Sequence, residues 1–170
     1  MILSYKGIYP KIHKSVFICE GVQIIGDVEI GKDSSVWFNT VIRGDVHYIR
    51  IGEKTNIQDN CTLHVTWKKF PLEIGNRVTV GHGVTIHGCT LKDNIIVGMG
   101  AVLLDGCLVN SNSFIAAGTL VREKFIVPEG VLVAGMPGKV IRELKPEEIR
   151  KIRVSSDNYL GYVKNYRNKK

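Results

Sequence analysis

The chain has 170 residues, of which 44% are hydrophobic and 23% charged, values typical of a soluble domain with a core of its own. The N-terminal residues are too polar for a signal peptide, and no apolar run approaches the roughly 18 residues of a membrane helix, so we expect a cytoplasmic protein without membrane contact. Most of the net charge of +7 comes from residues 139–170, where ten Lys or Arg face four Asp or Glu, a distribution that indicates a solvated helix and argues against nucleic-acid binding.

An aliphatic residue returns every six positions over most of the chain. This period fits neither an amphipathic helix nor ordinary hairpins, but it fits short strands joined by tight turns. Three such strands complete a coil of 18 residues, so equivalent residues of successive coils stack about 4.8 Å apart around a continuous aliphatic core. The phase slips three times, after Ile42, Leu63 and Ile86. The repeating positions are Ile12, Ile18, Ile24, Ile30, Val36, Ile42, Ile51, Ile57, Leu63, Ile74, Val80, Ile86, Leu91, Val97, Leu103, Val109, Ile115 and Val121.

The period resembles that of hexapeptide-repeat β-helices, which as a family wind left-handed. We therefore predict an all-β fold, with a left-handed parallel β-helix over residues 1–128 and an exit turn over residues 129–145. Beyond Pro146, apolar residues recur at intervals of three and four, which predicts an amphipathic α-helix over residues 146–168 packed along the β-helix. All three segments would form one domain. The predicted apolar face of the α-helix contains Ile149, Ile152, Ser156, Tyr159, Leu160, Val163 and Tyr166.

The cysteines and two of the histidines are interpreted as structural or surface residues. His13 and His47 are isolated on their predicted strands and are read as surface side chains. The four cysteines are far apart and contain no CxxC pair, so we expect small buried apolar groups rather than disulfides or a zinc cluster. These cysteines are Cys19, Cys61, Cys89 and Cys107.

Stacking of the coils brings two histidines together. His64 and His87 each follow the aliphatic position on the same side of successive coils, so their Cα atoms should lie about 5 Å apart. Arg43 belongs to the same column one coil earlier, and Asp45 lies at nearly the same height. Because a solenoid does not require two imidazoles in one column, we interpret the pair as metal ligands.

A third histidine belongs to a different side of the predicted prism. His82 lies on the side that also carries Gln58 and Asp59, and a prism edge separates it from the other two histidines. A neighbouring copy packed with threefold symmetry can supply it. Three histidines with an open fourth position are typical of a catalytic zinc site. The small neighbours of His82, Gly81 and Gly83, would allow a close approach between subunits.

Together these residues resemble the γ-class carbonic anhydrases and their relatives. The resemblance extends from about residue 8 to about residue 160. It implies a homotrimeric lyase that reversibly hydrates carbon dioxide to bicarbonate, with a metal site shared between subunits. His64, His82 and His87 would bind zinc, although the family also uses iron(II) or cobalt(II). The matching motifs are Arg43-Gly-Asp45, Asn56-Ile-Gln58-Asp59-Asn60, His64, Gly81-His82-Gly83 and His87-Gly-Cys.

The resemblance also implies roles for the remaining site residues. Gln58 would hydrogen-bond the water or hydroxide at the metal, Asn56 would position bicarbonate, and Tyr159 would reach the pocket from the terminal helix. Arg43, Asp45 and Asp59 would form an ion-pair network across the subunit interface, with Asp45 close enough to tune the site.

Two departures from the family pattern leave other functions open. Val46 stands where the best-studied member has a glutamate, and the segment Val65–Pro71 is short and basic where that member has a long acidic loop. One alternative is an enzyme of acyl-CoA or thioester chemistry, because other hexapeptide β-helices are acyltransferases. Another is a non-catalytic metal-binding trimeric scaffold.

Overall fold

The computed structural model describes residues 1–168, which form twenty strands and one helix. The strands are β1 (Ile2–Leu3), β2 (Lys11–Ile12), β3 (Phe17–Ile18), β4 (Gln23–Ile30), β5 (Ser35–Val36), β6 (Val41–Ile51), β7 (Asn56–Ile57), β8 (Thr62–His64), β9 (Leu72–Ile74), β10 (Thr79–Val80), β11 (Thr85–His87), β12 (Thr90–Leu91), β13 (Ile96–Val97), β14 (Val102–Leu103), β15 (Leu108–Val109), β16 (Phe114–Ile115), β17 (Leu120–Val121), β18 (Ile126–Val127), β19 (Val131–Gly135) and β20 (Gly138–Glu143). The helix, α1, spans Pro146–Arg167.

The strands wind into a parallel β-helix with three faces, which confirms the predicted architecture. β4 and β6 run around one corner: the first part of β6 pairs with β8 and its last part with β9. We call the side that contains β8, β11, β14 and β17 the histidine face, and the side that contains β9, β12, β15 and β18 the outer face. The third side, the helix face, is an eight-stranded sheet in the order β20-β19-β16-β13-β10-β7-β5-β3.

The repeating aliphatic residues form the core, as the six-residue period predicted. From Ile24 to Val121 every repeating position is buried, and Ile12 and Ile18 at the open end are half-buried. The four cysteines are free and buried, as expected. Burial of one aliphatic side chain contributes roughly 1.5–3 kcal/mol, so the stacked core is the main source of stability.

The β-helix continues beyond the point at which the sequence pattern was expected to end. Val127 and Val133 keep the six-residue phase and are fully buried, and β19 pairs in parallel with β16. The segment 129–145, expected to be an exit turn, therefore contains β19, the last parallel strand of the helix face. β20 then returns antiparallel to β19 and forms the edge of that sheet.

The terminal helix lies against the helix face. Ile152, Ser156 and Val163 are buried on its inner side, and the hydroxyl of Ser155 lies 3.1 Å from that of Thr79 in β10. Pro146 occupies the first turn, where its missing N–H has no helical partner to lose. Among residues 1–168, no helix combines the length and the apolar character that a bilayer crossing requires.

The core predicts a large difference between two isoleucines of the last coils. Ile115 is fully buried, whereas Ile126 is 62% exposed on the outer face. Ile115→Ala should lower the free energy of unfolding by about 2–5 kcal/mol, because it leaves a cavity in a packed interior. Ile126→Ala should change it by less than about 0.5 kcal/mol. Urea denaturation followed by circular dichroism measures both, and equal effects would contradict this account of the core.

Candidate metal centre

The histidine face holds two imidazoles in direct register. His64 in β8 pairs with His87 in β11, which confirms the stacking that the spacing predicted. Their ring centroids are 5.0 Å apart, and Nδ1 of His64 lies 3.0 Å from Nε2 of His87. The ladder of parallel strands fixes the heights of both rings, so the separation is set by the coil repeat itself.

Each of these histidines is also held by a carboxylate on its far side. Nε2 of His64 lies 3.1 Å from Oδ1 of Asp45, and Nδ1 of His87 lies 2.7 Å from Oδ1 of Asp105. Arg43 in turn donates a hydrogen bond to Asp45. Because an ionised carboxylate only accepts hydrogen bonds, the outer nitrogen of each ring carries the proton. When the rings are neutral, the two inner nitrogens therefore direct lone pairs at each other.

Local electrostatics favour the neutral imidazole and the ionised carboxylate in this pair. Burial lowers the pKa of His64 below its usual value, and the hydrogen bond to Asp45 offsets only part of that effect. For Asp45, burial by itself would raise the pKa, but the hydrogen bonds from Arg43 and His64 bring it below its usual value. Neutral imidazole is the form that binds metal ions.

The donor set fits a divalent cation. Two Zn–N bonds of about 2.0–2.1 Å can bridge nitrogens that are 3.0 Å apart, and a cation between them removes the lone-pair repulsion. Carboxylates behind metal-binding imidazoles are the usual means of fixing the ring orientation. Within one chain, residues 1–168 do not gather three His, Cys, Asp or Glu side chains in a metal-binding arrangement. The pair on the histidine face is thus at most part of a site.

His82 belongs to a second cluster, at the corner where β10 ends. Its Nδ1 lies 2.6 Å from Oδ2 of Asp59, one coil below, and its side chain is 49% exposed. The turn after it needs a left-handed residue, which Gly83 supplies with a φ of +67°. Gly81 has a reason within the chain for being small, because a Cβ there would lie 2.8 Å from the backbone nitrogen of Met99.

A cavity of about 480 Å³ opens beside His82, between the prism and the terminal helix. Tyr159 lines it and packs edge-on against Trp37, with ring centroids 5.4 Å apart. Burial, followed by the charge of Asp59, raises the pKa of Tyr159 to about 12, so its hydroxyl stays neutral at physiological pH. Tyr159 therefore lies in the wall of this cavity.

Asn56 and Gln58 lie one coil below His82 on the helix face. Both are buried, with exposed fractions of 1% and 6%. Nε2 of Gln58 donates to Oδ1 of Asn56 at 3.2 Å, and Nδ2 of Asn56 donates to the hydroxyl of Thr79 at 2.9 Å. This chain of hydrogen bonds orients the carbonyl oxygen of Gln58 away from Asn56.

The predicted site residues thus fall into two clusters. The histidine cluster is Arg43, Asp45, His64 and His87, and the pocket cluster is Asn56, Gln58, Asp59, His82 and Tyr159. Asp59, predicted to pair across an interface, has His82 as its partner within the chain. His13 is exposed beside Ser15, and His47 accepts a hydrogen bond from the Tyr48 backbone at 2.9 Å, as suits residues outside the site.

Sequence reasoning missed Asp105 and Thr66. Asp105 lies on the coil above His87, but Ile86 pairs with Leu103, so the residue in register with His87 is Leu104. Counting along the repeat therefore did not place Asp105 beside the ring, although its carboxylate reaches it. The hydroxyl of Thr66 donates to Oδ2 of Asp105 at 2.6 Å. Thr66 lies in an insertion that departs from the repeat, and no periodicity could have located it.

Comparison with known proteins finds relatives that share the hexapeptide repeat and carry the names of two activities. Residues 9–44 match the family described as "Bacterial transferase hexapeptide (six repeats)". A probable carbonic anhydrase of Methanocaldococcus jannaschii is 56% identical over 90% of this chain and 94% of its own length. A carbonic anhydrase of Geobacillus kaustophilus is 47% identical over 89% of this chain and 83% of its own. A crystal structure from Bacillus cereus, whose name assigns it to the acetyltransferases, superposes with a TM-score of 0.97 at 43% identity, covering 100% and 98% of the two chains.

The lowered pKa of His64 predicts an acid-side loss of stability in the metal-free protein. The unfolded chain, with a histidine pKa near 6.5, takes up the proton first, so the free energy of unfolding should fall as pH is lowered from 7 to 5. Asp45 stays ionised in this range. His64→Gln should remove part of that slope, whereas His13→Gln should leave it unchanged. Urea titrations at several pH values measure it; an unchanged slope in His64→Gln would refute the assignment.

Proposed function

Because this chain belongs to the γ-class carbonic anhydrase-like family of hexapeptide-repeat proteins, we propose that it is a metal-dependent lyase that reversibly hydrates carbon dioxide to bicarbonate. The observation that carries the proposal is the pair of inner nitrogens, His64 Nδ1 and His87 Nε2, held 3.0 Å apart by carboxylates behind both rings. His82, the third ligand, comes from a neighbouring subunit of a homotrimer. Zinc is the expected ion, and iron(II) or cobalt(II) would use the same ligands.

The two clusters support a shared site because each is incomplete in the same way. Among residues 1–168, the histidine cluster offers two ligands and no third, and the pocket cluster offers one ligand with a carboxylate behind it. They lie on different faces of a convex prism, so one molecule cannot bring them together. A cyclic trimer places the histidine face of one copy against the pocket cluster of the next. Arg43 would then lie near Asp59 of the neighbour.

The chain's own residues supply orientation and electrostatics to the reaction. When bound, zinc provides hydroxide at neutral pH by lowering the pKa of water to about 7, the value established for carbonic anhydrase itself. The carbonyl oxygen of Gln58 would accept a hydrogen bond from the water or hydroxide at the metal and so orient it. Asn56 holds Gln58 and contacts the bicarbonate product. Tyr159 presents a neutral hydroxyl at the pocket wall.

The positions at which the best-studied relative carries its acidic groups supply no carboxylate here to remove the proton. Val46 replaces the acidic residue of the best-studied relative, and the segment Thr66–Phe70 is a tight turn that contains Lys68 and Lys69. The proton released at each turnover would therefore leave to buffer. Catalysis limited by this step responds to buffer concentration rather than to a side-chain pKa.

Two defective variants should complement each other if the site lies between subunits. His82→Ala retains His64 and His87, and His87→Ala retains His82, so each homotrimer should lose tightly bound zinc. In trimers refolded from an equal mixture, about one quarter of the interfaces should combine the intact halves. Elemental analysis after gel filtration should show zinc returning to that level. Full zinc in His82→Ala alone, or none in the mixture, would refute the shared site.

Hydration of carbon dioxide should be measurable by stopped flow, under anaerobic conditions, with zinc and with iron(II). Wild type should be active and His87→Ala inactive, and the rate should increase with imidazole buffer because neither Val46 nor the turn Thr66–Phe70 supplies a carboxylate to export the proton. Acetyl-CoA turnover that survives metal removal would instead favour acyl chemistry, the activity named for the Bacillus cereus structure. Metal binding without activity for either ion would leave a trimeric metal-binding scaffold.

A further inference from the structure

The short turn Thr66–Phe70 packs directly on the residues around His87. It is closed by an antiparallel bridge between Thr66 and Phe70, with the Thr66 backbone nitrogen 3.1 Å from the Phe70 carbonyl oxygen. This turn is the insertion that causes the second slip of the repeat, between Leu63 and Ile74. The corresponding segment of the best-studied relative is longer and acidic. The contacts of the turn give it a different role here.

The first contact is polar. The hydroxyl of Thr66 donates to Oδ2 of Asp105 at 2.6 Å, while Oδ1 of the same carboxylate accepts from Nδ1 of His87 at 2.7 Å. One carboxylate oxygen of Asp105 is therefore hydrogen-bonded to the turn, and the other is hydrogen-bonded to the imidazole of His87. With both oxygens bound, the carboxylate cannot rotate without losing a charge-assisted hydrogen bond.

The second contact is steric and involves the residues that follow His87 and Asp105. A Cβ on Gly88 would lie 2.8 Å from Cβ of Phe70 and 2.4 Å from Oδ1 of Asp105. A Cβ on Gly106 would lie 2.9 Å from Cε1 of Phe70. Phe70 therefore covers both glycines, and only glycine at these two positions lets the turn approach the imidazole–carboxylate pair this closely.

We propose that the turn Thr66–Phe70 is a clamp on the metal ligand His87, with Asp105 as the positioning residue that transmits it. Thr66 fixes the carboxylate, the carboxylate keeps the proton of His87 on Nδ1, and Nε2 is left as the atom that binds the metal. The inference rests on the proposed metal site for its functional meaning. Its structural content, the tautomer and orientation of His87, exists without the metal.

The clamp is tested on the metal-free protein by long-range ¹H–¹⁵N correlation spectra, which report the tautomer of each imidazole. Wild type should show His87 protonated at Nδ1. Asp105→Ala and Thr66→Val should let the Nε2-protonated form appear, and Thr66→Ser, which keeps the hydroxyl, should restore the wild-type signal. Thr90→Val, a matched change on the outer face, should have no effect. An unchanged His87 tautomer in both Asp105→Ala and Thr66→Val would overturn the proposal.

Zinc affinity, measured by competition with a chromophoric chelator, gives the functional readout. Asp105→Ala should weaken binding about ten- to a hundredfold, the usual loss when the partner of a metal-bound imidazole is removed. Thr66→Val should weaken it by a smaller factor, and Thr66→Ser should resemble wild type. If wild type itself does not bind zinc, the proposed function fails, while the tautomer spectra still decide the clamp. Wild-type affinity in both Asp105→Ala and Thr66→Val would overturn the clamp's role in metal binding.

Discussion

The vertical register of stacked parallel strands is the constraint on which the rest of the structure depends. Backbone hydrogen bonds tie the strands of each coil to the coil beside it, and the aliphatic column fills the interior, so a side chain's height and face are determined by its position in the repeat. His64 and His87 meet because their strands pair residue for residue. A shift of one position would turn one ring into the core, where an imidazole would lack partners. The geometry of the candidate site is therefore inherited from the packing of the whole prism.

The groups that orient the two histidines lie at or beside the interruptions of the repeat. All three slips occur at the corner between the histidine face and the outer face. The first is a bulge in β6, where the register against β4 shifts and Asp45 projects toward His64. The second inserts the turn that contains Thr66, and the third shortens the chain at Gly88, over which Asp105 and Phe70 close. A regular hexapeptide coil supplies a scaffold with two imidazoles on it; the irregular corner supplies the groups that orient them.

This division explains what could be predicted from the sequence. The core, the histidine column and the separate face of His82 follow from counting in sixes, and the structure confirms their placement. The continuation to Val133, beyond the predicted end at residue 128, was missed, although Val133 keeps the phase, because Pro128 and the glycines after it indicate a turn more strongly than one valine indicates a strand. The same counting missed Asp105, because the third slip brings Leu104 into register with His87. The hydrogen bond from Thr66 to Asp105 spans 39 residues of sequence and depends on the shape of a turn.

The separation of the two clusters argues for assembly on physical grounds. Asp59, His82 and Tyr159 surround a pocket that is open to solvent, and the side chain of His82 is half exposed. The histidine pair lies on another face, with its two inner nitrogens 3.0 Å apart. In each cluster a carboxylate already orients the imidazole of every histidine. Contact between the two surfaces would therefore bring the three rings together without reorienting them. A cyclic trimer, as proposed, would form three such junctions from a single kind of contact, and each junction would shield both clusters from water.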